Sequence, residues 1–169
     1  FVSRIVNKIG KTEKLSMRLY EYLMSAENCK IVLLSGTPII NYPNEIAIFF
    51  NILRGYIKTW NLVLDIKTAE KINTDSITKM FKFDKRLNNI VDYIDYKATS
   101  KTLSVTKNPF GFINIYDTKD KTDNTFRGIK VNENGDITDS DFQRLIINIL
   151  SNNNIEVRPT NIKITSYKA

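Results

Sequence analysis

The residues best placed to do chemistry stand together in the tetrapeptide Ser35-Gly36-Thr37-Pro38. Two hydroxyls flank a glycine that turns without a Cβ clash, and a proline then stops any ladder because it has no N–H to give. Such hydroxyls exchange hydrogen bonds; they become nucleophiles only beside a base. The chain has no histidine, which removes the commonest general base, the imidazole metal ligand and the Ser-His or Cys-His pair. Its single cysteine, Cys29, excludes a thiolate zinc cluster and an internal disulfide. No carboxylate pair has glycosidase or metal spacing, and Asp92 and Asp95 read as exposed residues near a strand end. No catalytic residue and no metal ligand is therefore assigned. Gly10-Lys11-Thr12 ends like a phosphate-binding loop, but the glycine required five positions earlier falls on Ile5 and no strand precedes it. A second candidate is Lys107 with Phe110, Phe112 and Tyr116, where an ammonium group beside alternating rings suits the stacking of unpaired bases. The same alternation also describes one buried strand face.

These residues need elements to hold them. Residues 31–34, Ile-Val-Leu-Leu, are continuously apolar and predict a parallel strand buried on both faces. The Ser-Gly-Thr-Pro turn then lies at its carboxyl end, where open α/β sheets handle ligands. Asn41 can cap a following helix whose first turn tolerates Pro43 and Glu45. That helix carries Ile46, Phe49, Phe50 and Leu53 on one face with Ala47, Ile48 and Ile52 beside it, and ends before Gly55. Upstream, spacing predicts a helix over 12–28, capped by Thr12, with Leu15, Leu19, Tyr22, Leu23 and Ala26 on its apolar face. Residues 1–9 show too little periodicity to be more than a loop or short turn.

The strand, the hydroxyl-bearing turn and the apolar helix together resemble motif III of superfamily 2 helicases and translocases in the Swi/Snf-like form. The matching residues are Leu33, Leu34, Ser35, Gly36, Thr37, Pro38, Ile39, Asn41, Glu45 and the helix over 46–53. The resemblance implies that residues 1–58 are the C-terminal part of a first RecA-like lobe, with the segments that hold ATP and Mg2+ and the second lobe lying elsewhere. Ser35, Gly36, Thr37 and Pro38 would then couple the nucleotide's state to movement on DNA or RNA. The fragment alone would bind no cofactor and hydrolyse nothing. Its partners would be nucleic acid and the missing motor segments of the same protein.

Past residue 58 the composition becomes more polar and strands dominate, resembling the inserted segment that follows motif III in helicases of large nucleocytoplasmic DNA viruses. Residues 61–66 predict a strand. A helix starts at Thr74 or Asp75 with Ile77, Met80 and Phe81 inward, breaks near Asp84 and resumes through Leu87, Ile90 and Val91. Residues 93–96 pair with 103–106 across the turn 98–101. Residues 108–111 break the second strand, 112–116 resume alternation, and the polar stretch 119–127 predicts a loop. Residues 128–131 form a short strand closed by an Asn134-Gly135 hairpin turn. Thr138 opens a helix by a capping box with Asp141 and a staple of Ile137 on Phe142, burying Phe142, Leu145, Ile146 and Ile149. Strands at 155–157 and 162–166 close the chain on either side of Pro159. The order predicts, for residues 59–169, an antiparallel sheet with helices, a ferredoxin-like split β-α-β layer. The fold class is thus α/β plus α+β.

The 169 residues suffice for one comfortable domain or two small pieces. A composition of 42% hydrophobic and 25% charged residues is that of a globular protein. No apolar run approaches the roughly 20 residues of a membrane helix, and no leader peptide is evident. The chain is expected inside a cell, in host cytoplasm or virion if viral, without a membrane partner. It starts with Phe1 and enters apolar, basic sequence at once, which suggests a piece of a longer protein. A net charge of +7 favours phosphate-bearing partners. The signs are interleaved, however, and the nearest basic patch, Lys79, Lys82, Lys85 and Arg86, has Asp75 and Asp84 among them. The competing interpretation is a non-enzymatic α+β module that binds nucleic acid or protein, its Ser-Gly-Thr-Pro turn a coincidence; a purely structural interaction domain is the third.

Overall fold

The computed structural model describes residues 15–26, 29–37, 43, 45–116 and 125–167. Thr12, Asn41, Pro38, Ile39, the Gly10-Lys11-Thr12 stretch, residues 1–9 and most of the polar stretch 119–127 lie outside the described residues. The chain divides into two units, one of residues 1–57 with 166–169, the other of residues 58–165.

The first unit is built on two helices, α1 (Leu15–Ser25) and α2 (Glu45–Arg54). Tyr20 and Met24 of α1 meet Ile48 and Ile52 of α2 in a small core, with Met17, Leu23, Ile31, Leu33 and Phe49 packed around it. Inside it the Asn51 amide donates to the Tyr20 hydroxyl at 3.2 Å. Gly55, at φ +71°, ends α2 and donates its N–H to the Asn51 carbonyl at 2.8 Å, a left-handed C-terminal cap. The buried stripes differ from the expected ones: Leu15, Leu19 and Tyr22 of α1 and Ile46, Phe50 and Leu53 of α2 are exposed. Both helices are apolar over more than one face, so periodicity alone does not choose the stripe. Residues 31–34 also depart from expectation. They form no strand; Ile31 and Leu33 lean on the helical core while Val32 and Leu34 are exposed. A buried parallel strand needs a neighbour to take its backbone N–H and C=O groups, and no described residue pairs with this one.

The second unit contains strand β1 (Ile57–Ile66), helices α3 (Thr74–Phe83) and α4 (Lys85–Ile90), strands β2 (Val91–Lys97), β3 (Thr102–Lys107), β4 (Phe112–Tyr116) and β5 (Phe126–Val131), helix α5 (Asp139–Asn152) and strand β6 (Ile155–Tyr167). A four-stranded sheet has the order β2-β3-β1-β6, and β4 pairs with β5 separately. β3 runs antiparallel to both neighbours, Trp60 opposite Val105 and Tyr96 opposite Leu103. Asn61 reaches Lys163 and Thr165 while Lys67 reaches Asn154 and Glu156, so β6 runs antiparallel to β1.

Alternation puts Trp60, Leu62 and Leu64 of β1 and Leu103 and Val105 of β3 on one sheet face, where Ile77 and Phe81 of α3, Leu87 of α4 and Phe142, Ile146 and Leu150 of α5 cover them. The Trp60 and Phe142 rings meet edge to face at 4.7 Å. Helix starts follow local chemistry. Asn73 and Ser76 form a reciprocal capping box on α3, Asp84 interrupts α3 and caps α4 through the N–H groups of Arg86 and Leu87, and Thr138 caps α5 through the Asp141 N–H at 3.1 Å.

Three expectations are corrected. Asn134-Gly135 closes no hairpin, because β5 pairs back onto β4 and the turn, with Gly135 N–H on the Asn132 carbonyl, leads into α5. Phe126 and Arg127, expected in a loop, belong to β5. The closing strands are one strand through Pro159; β6 is an edge of its sheet, where a missing N–H interrupts no ladder on the outer side. Among the described residues no helix is long and apolar enough to cross a membrane.

Candidate functional site

The turn at 35–37 is held locally. The Ser35 hydroxyl accepts the Thr37 backbone N–H at 3.2 Å, a serine turn that places both hydroxyls on the same bend. Ser35, Gly36 and Thr37 are all exposed, and nothing lies within 4 Å of where a Gly36 Cβ would stand. The Ser35 proton therefore remains available for donation, and the Thr37 hydroxyl has no partner among the described residues. Pro38, the fourth residue of the motif, lies outside the described residues.

The second candidate comes apart in the fold. Lys107 has a side chain only 12% exposed, with Nζ at 3.0 Å from Asp136 Oδ2, 3.2 Å from Asp139 Oδ1 and 2.7 Å from the Ile137 carbonyl. Its ammonium group ties β3 to the entry of α5, and this engagement with two carboxylates and a carbonyl leaves it little free to meet a phosphate. Asp139 is shared with Lys58 at 2.7 Å. Burial pushes the Asp139 carboxyl up, the two ammonium groups pull it down, and the net result lies below its ordinary value.

Phe110 is exposed at φ +56°, and its ring meets the half-buried Phe112 edge to face at 6.3 Å. The rings are thus neighbours without the cation expected beside them. Behind them the Asn108 amide donates to the Asn114 side-chain carbonyl at 3.0 Å, and the Asn114 amide to the Val91 carbonyl at 2.8 Å. This network fixes the corner between β3 and β4. Gly111 is required there, since a Cβ would come within 2.9 Å of the backbone of Gly135 and Asp136. Tyr116 is half-buried, and burial, only partly offset by a hydrogen bond with Asn114, raises its hydroxyl pKa.

The fold also forms a cleft of about 550 Å3 between α4, α5, β4 and the turn leading into α5. Arg86 and Asn89 of α4 and Arg144 and Asn148 of α5 line it together with the apolar Ile113 and Leu145. Asp84 grips the Arg86 guanidinium at two points, 2.8 and 3.3 Å, and Asp141 holds Arg144. The hydrogen bond with Arg86 lowers the Asp84 carboxyl pKa against the opposing effect of burial. Sequence reasoning missed this grouping. Its only linear trace is an arginine followed by an asparagine one turn later on each of two helices, a pattern shared with any solvated face.

The resemblance places ATP and Mg2+ on other segments of the parent protein and none on these residues. No group of three or more His, Cys, Asp or Glu gathers as a metal site among them, and no glycine-rich strand-to-helix turn among them offers a phosphate cradle.

Comparison with known proteins gives one relationship of note. Over 98 residues, 54% of this chain, the sequence is 35% identical to a protein of Acanthamoeba polyphaga mimivirus named "Putative ATP-dependent RNA helicase R350". The chain spans only about 12% of that protein's length. No protein-family profile matches the chain, and no solved structure matches it.

Proposed function

We propose that the chain is a segment of an ATP-dependent nucleic-acid helicase or translocase, in which the turn Ser35-Gly36-Thr37-Pro38 couples a nucleotide held by other segments to movement along the strand. The observation that carries this is the 35% identity to a viral helicase-named protein over more than half the chain. The exposed hydroxyls of Ser35 and Thr37, and the apolar Val32 and Leu34 left uncovered, support it. A run of this kind is stable when adjoining strands of a parallel sheet cover it, which is the place a RecA-like lobe gives it. The strand order β2-β3-β1-β6, with a helical segment between β1 and β2 and another helix before β6, supports a ferredoxin-like layer for the inserted segment that follows it in the sequence. RNA is the favoured track, following the viral protein's name, and ATP with Mg2+ would be the cofactors of the whole enzyme.

The test is an ATPase assay on the full-length protein with and without single-stranded RNA. Hydrolysis stimulated several-fold by the strand is expected. Hydrolysis indifferent to RNA and DNA alike would overturn the proposal. A second interpretation, a binding module without motor action, is favoured by the separate hydrophobic core of residues 58–165; full-length protein that binds strands but hydrolyses no ATP would select it.

A further inference from the structure

From the cleft between α4 and α5 we infer a binding site for one unpaired nucleotide of a single-stranded nucleic acid, an inference that rests on the nucleic-acid partner proposed above. Each helix supplies one arginine and one asparagine a single turn apart, Arg86 with Asn89 and Arg144 with Asn148, to the walls of the same cavity. Its volume of about 550 Å3 lies within the range of ligand pockets. Ile113 and Leu145 are among the lining residues and offer apolar contact to the flat face of a base. The Asn89 and Asn148 side-chain amides have no hydrogen-bond partner among the described residues, so they can meet the mixed donors and acceptors of a base edge.

The arginines are already oriented. Asp84 holds one edge of the Arg86 guanidinium through two hydrogen bonds and Asp141 holds a single nitrogen of Arg144, which leaves the planar faces available for stacking on a base. The two lining arginines are balanced by the two lining carboxylates, Asp136 paired with Lys107 and Asp141 with Arg144, so base stacking, more than phosphate attraction, carries the binding. Sequence reasoning sought stacking at Phe110 and Phe112; here stacking falls to guanidinium planes.

The test is fluorescence anisotropy of 5′-fluorescein decauridylate, decaadenylate and decathymidylate (DNA) titrated with the whole chain at 50 and 200 mM salt. The double variant Arg86→Ala/Arg144→Ala is expected to weaken binding at least tenfold, as loss of base stacking does. Arg86→Lys/Arg144→Lys, which keeps the charge but not the plane, weakens it to a similar degree. Lys97→Ala, away from the cleft, leaves it within about twofold. Both arginines are exposed, so thermal melting checks that the variants fold. Undiminished binding by the alanine variant, wild-type binding by the lysine variant, or no strand binding by the wild-type chain would each overturn the site. None of these results touches the motor assignment, which is tested separately by RNA-stimulated hydrolysis.

Discussion

Replacing Lys107 by methionine removes a charge and keeps most of the volume, which separates a structural cation from a nucleic-acid contact. The Lys107 side chain is 12% exposed, while those of Asp136 and Asp139 are 44% and 38% exposed. Breaking a fully buried ion pair from one side costs about 3–5 kcal/mol. Here both carboxylates reach water, and Asp139 keeps Lys58 at 2.7 Å, so much of that penalty is solvated away. What remains is the lost charge-assisted bond to the Ile137 carbonyl at 2.7 Å and a weakened hold on the entry of α5, together about 2 kcal/mol. Urea unfolding followed by circular dichroism should show the midpoint fall with its slope unchanged. Strand binding by the folded variant should keep its salt dependence. An unchanged midpoint combined with a salt slope reduced by about one would refute the structural role and return Lys107 to the phosphate backbone.

Other outcomes follow from the same contacts. Because the Asp139 and Asp84 carboxyls are held below their ordinary value in the folded state, their contribution is complete above the unfolded carboxylate range, about pH 4, and is lost as pH falls through their lower folded values. Urea titrations between pH 6 and 2.5 should show Asp139→Asn flattening that loss. Asp84→Ala removes the α4 cap and should destabilise by about 1 kcal/mol, read by the same unfolding curve. Phe142→Leu loses the ring contact with Trp60 and should cost about 1–2 kcal/mol, with altered emission from Trp60, the one tryptophan in the chain.

Elements governed by local signals were legible in the sequence. The helix breaks near Asp84, Thr138 caps, and the hairpin read across residues 98–101 pairs Tyr96 with Leu103. What sequence reasoning missed depends on partners distant along the chain. Residues 31–34 carry a strand's composition, but a strand needs a ladder, and no described residue supplies one. In α1 and α2 an apolar surplus leaves two stripes equally credible until Tyr20 finds Asn51. Lys107 seemed available because Asp136 and Asp139 lie some thirty residues away and reach it only when α5 packs. The Arg-Asn pairs of α4 and α5 carry no linear signal that they share a cleft.

The central claim concerns the hydroxyls of the Ser35–Thr37 bend, and the most direct measurement is the distance moved along single-stranded RNA per ATP hydrolysed by the full-length protein, wild type against Thr37→Ala. The account predicts ATP affinity within about twofold of wild type and a ratio of movement to hydrolysis lowered severalfold, since coupling is lost while nucleotide binding elsewhere is spared. An unchanged ratio, or an equal loss of affinity and movement, would contradict it.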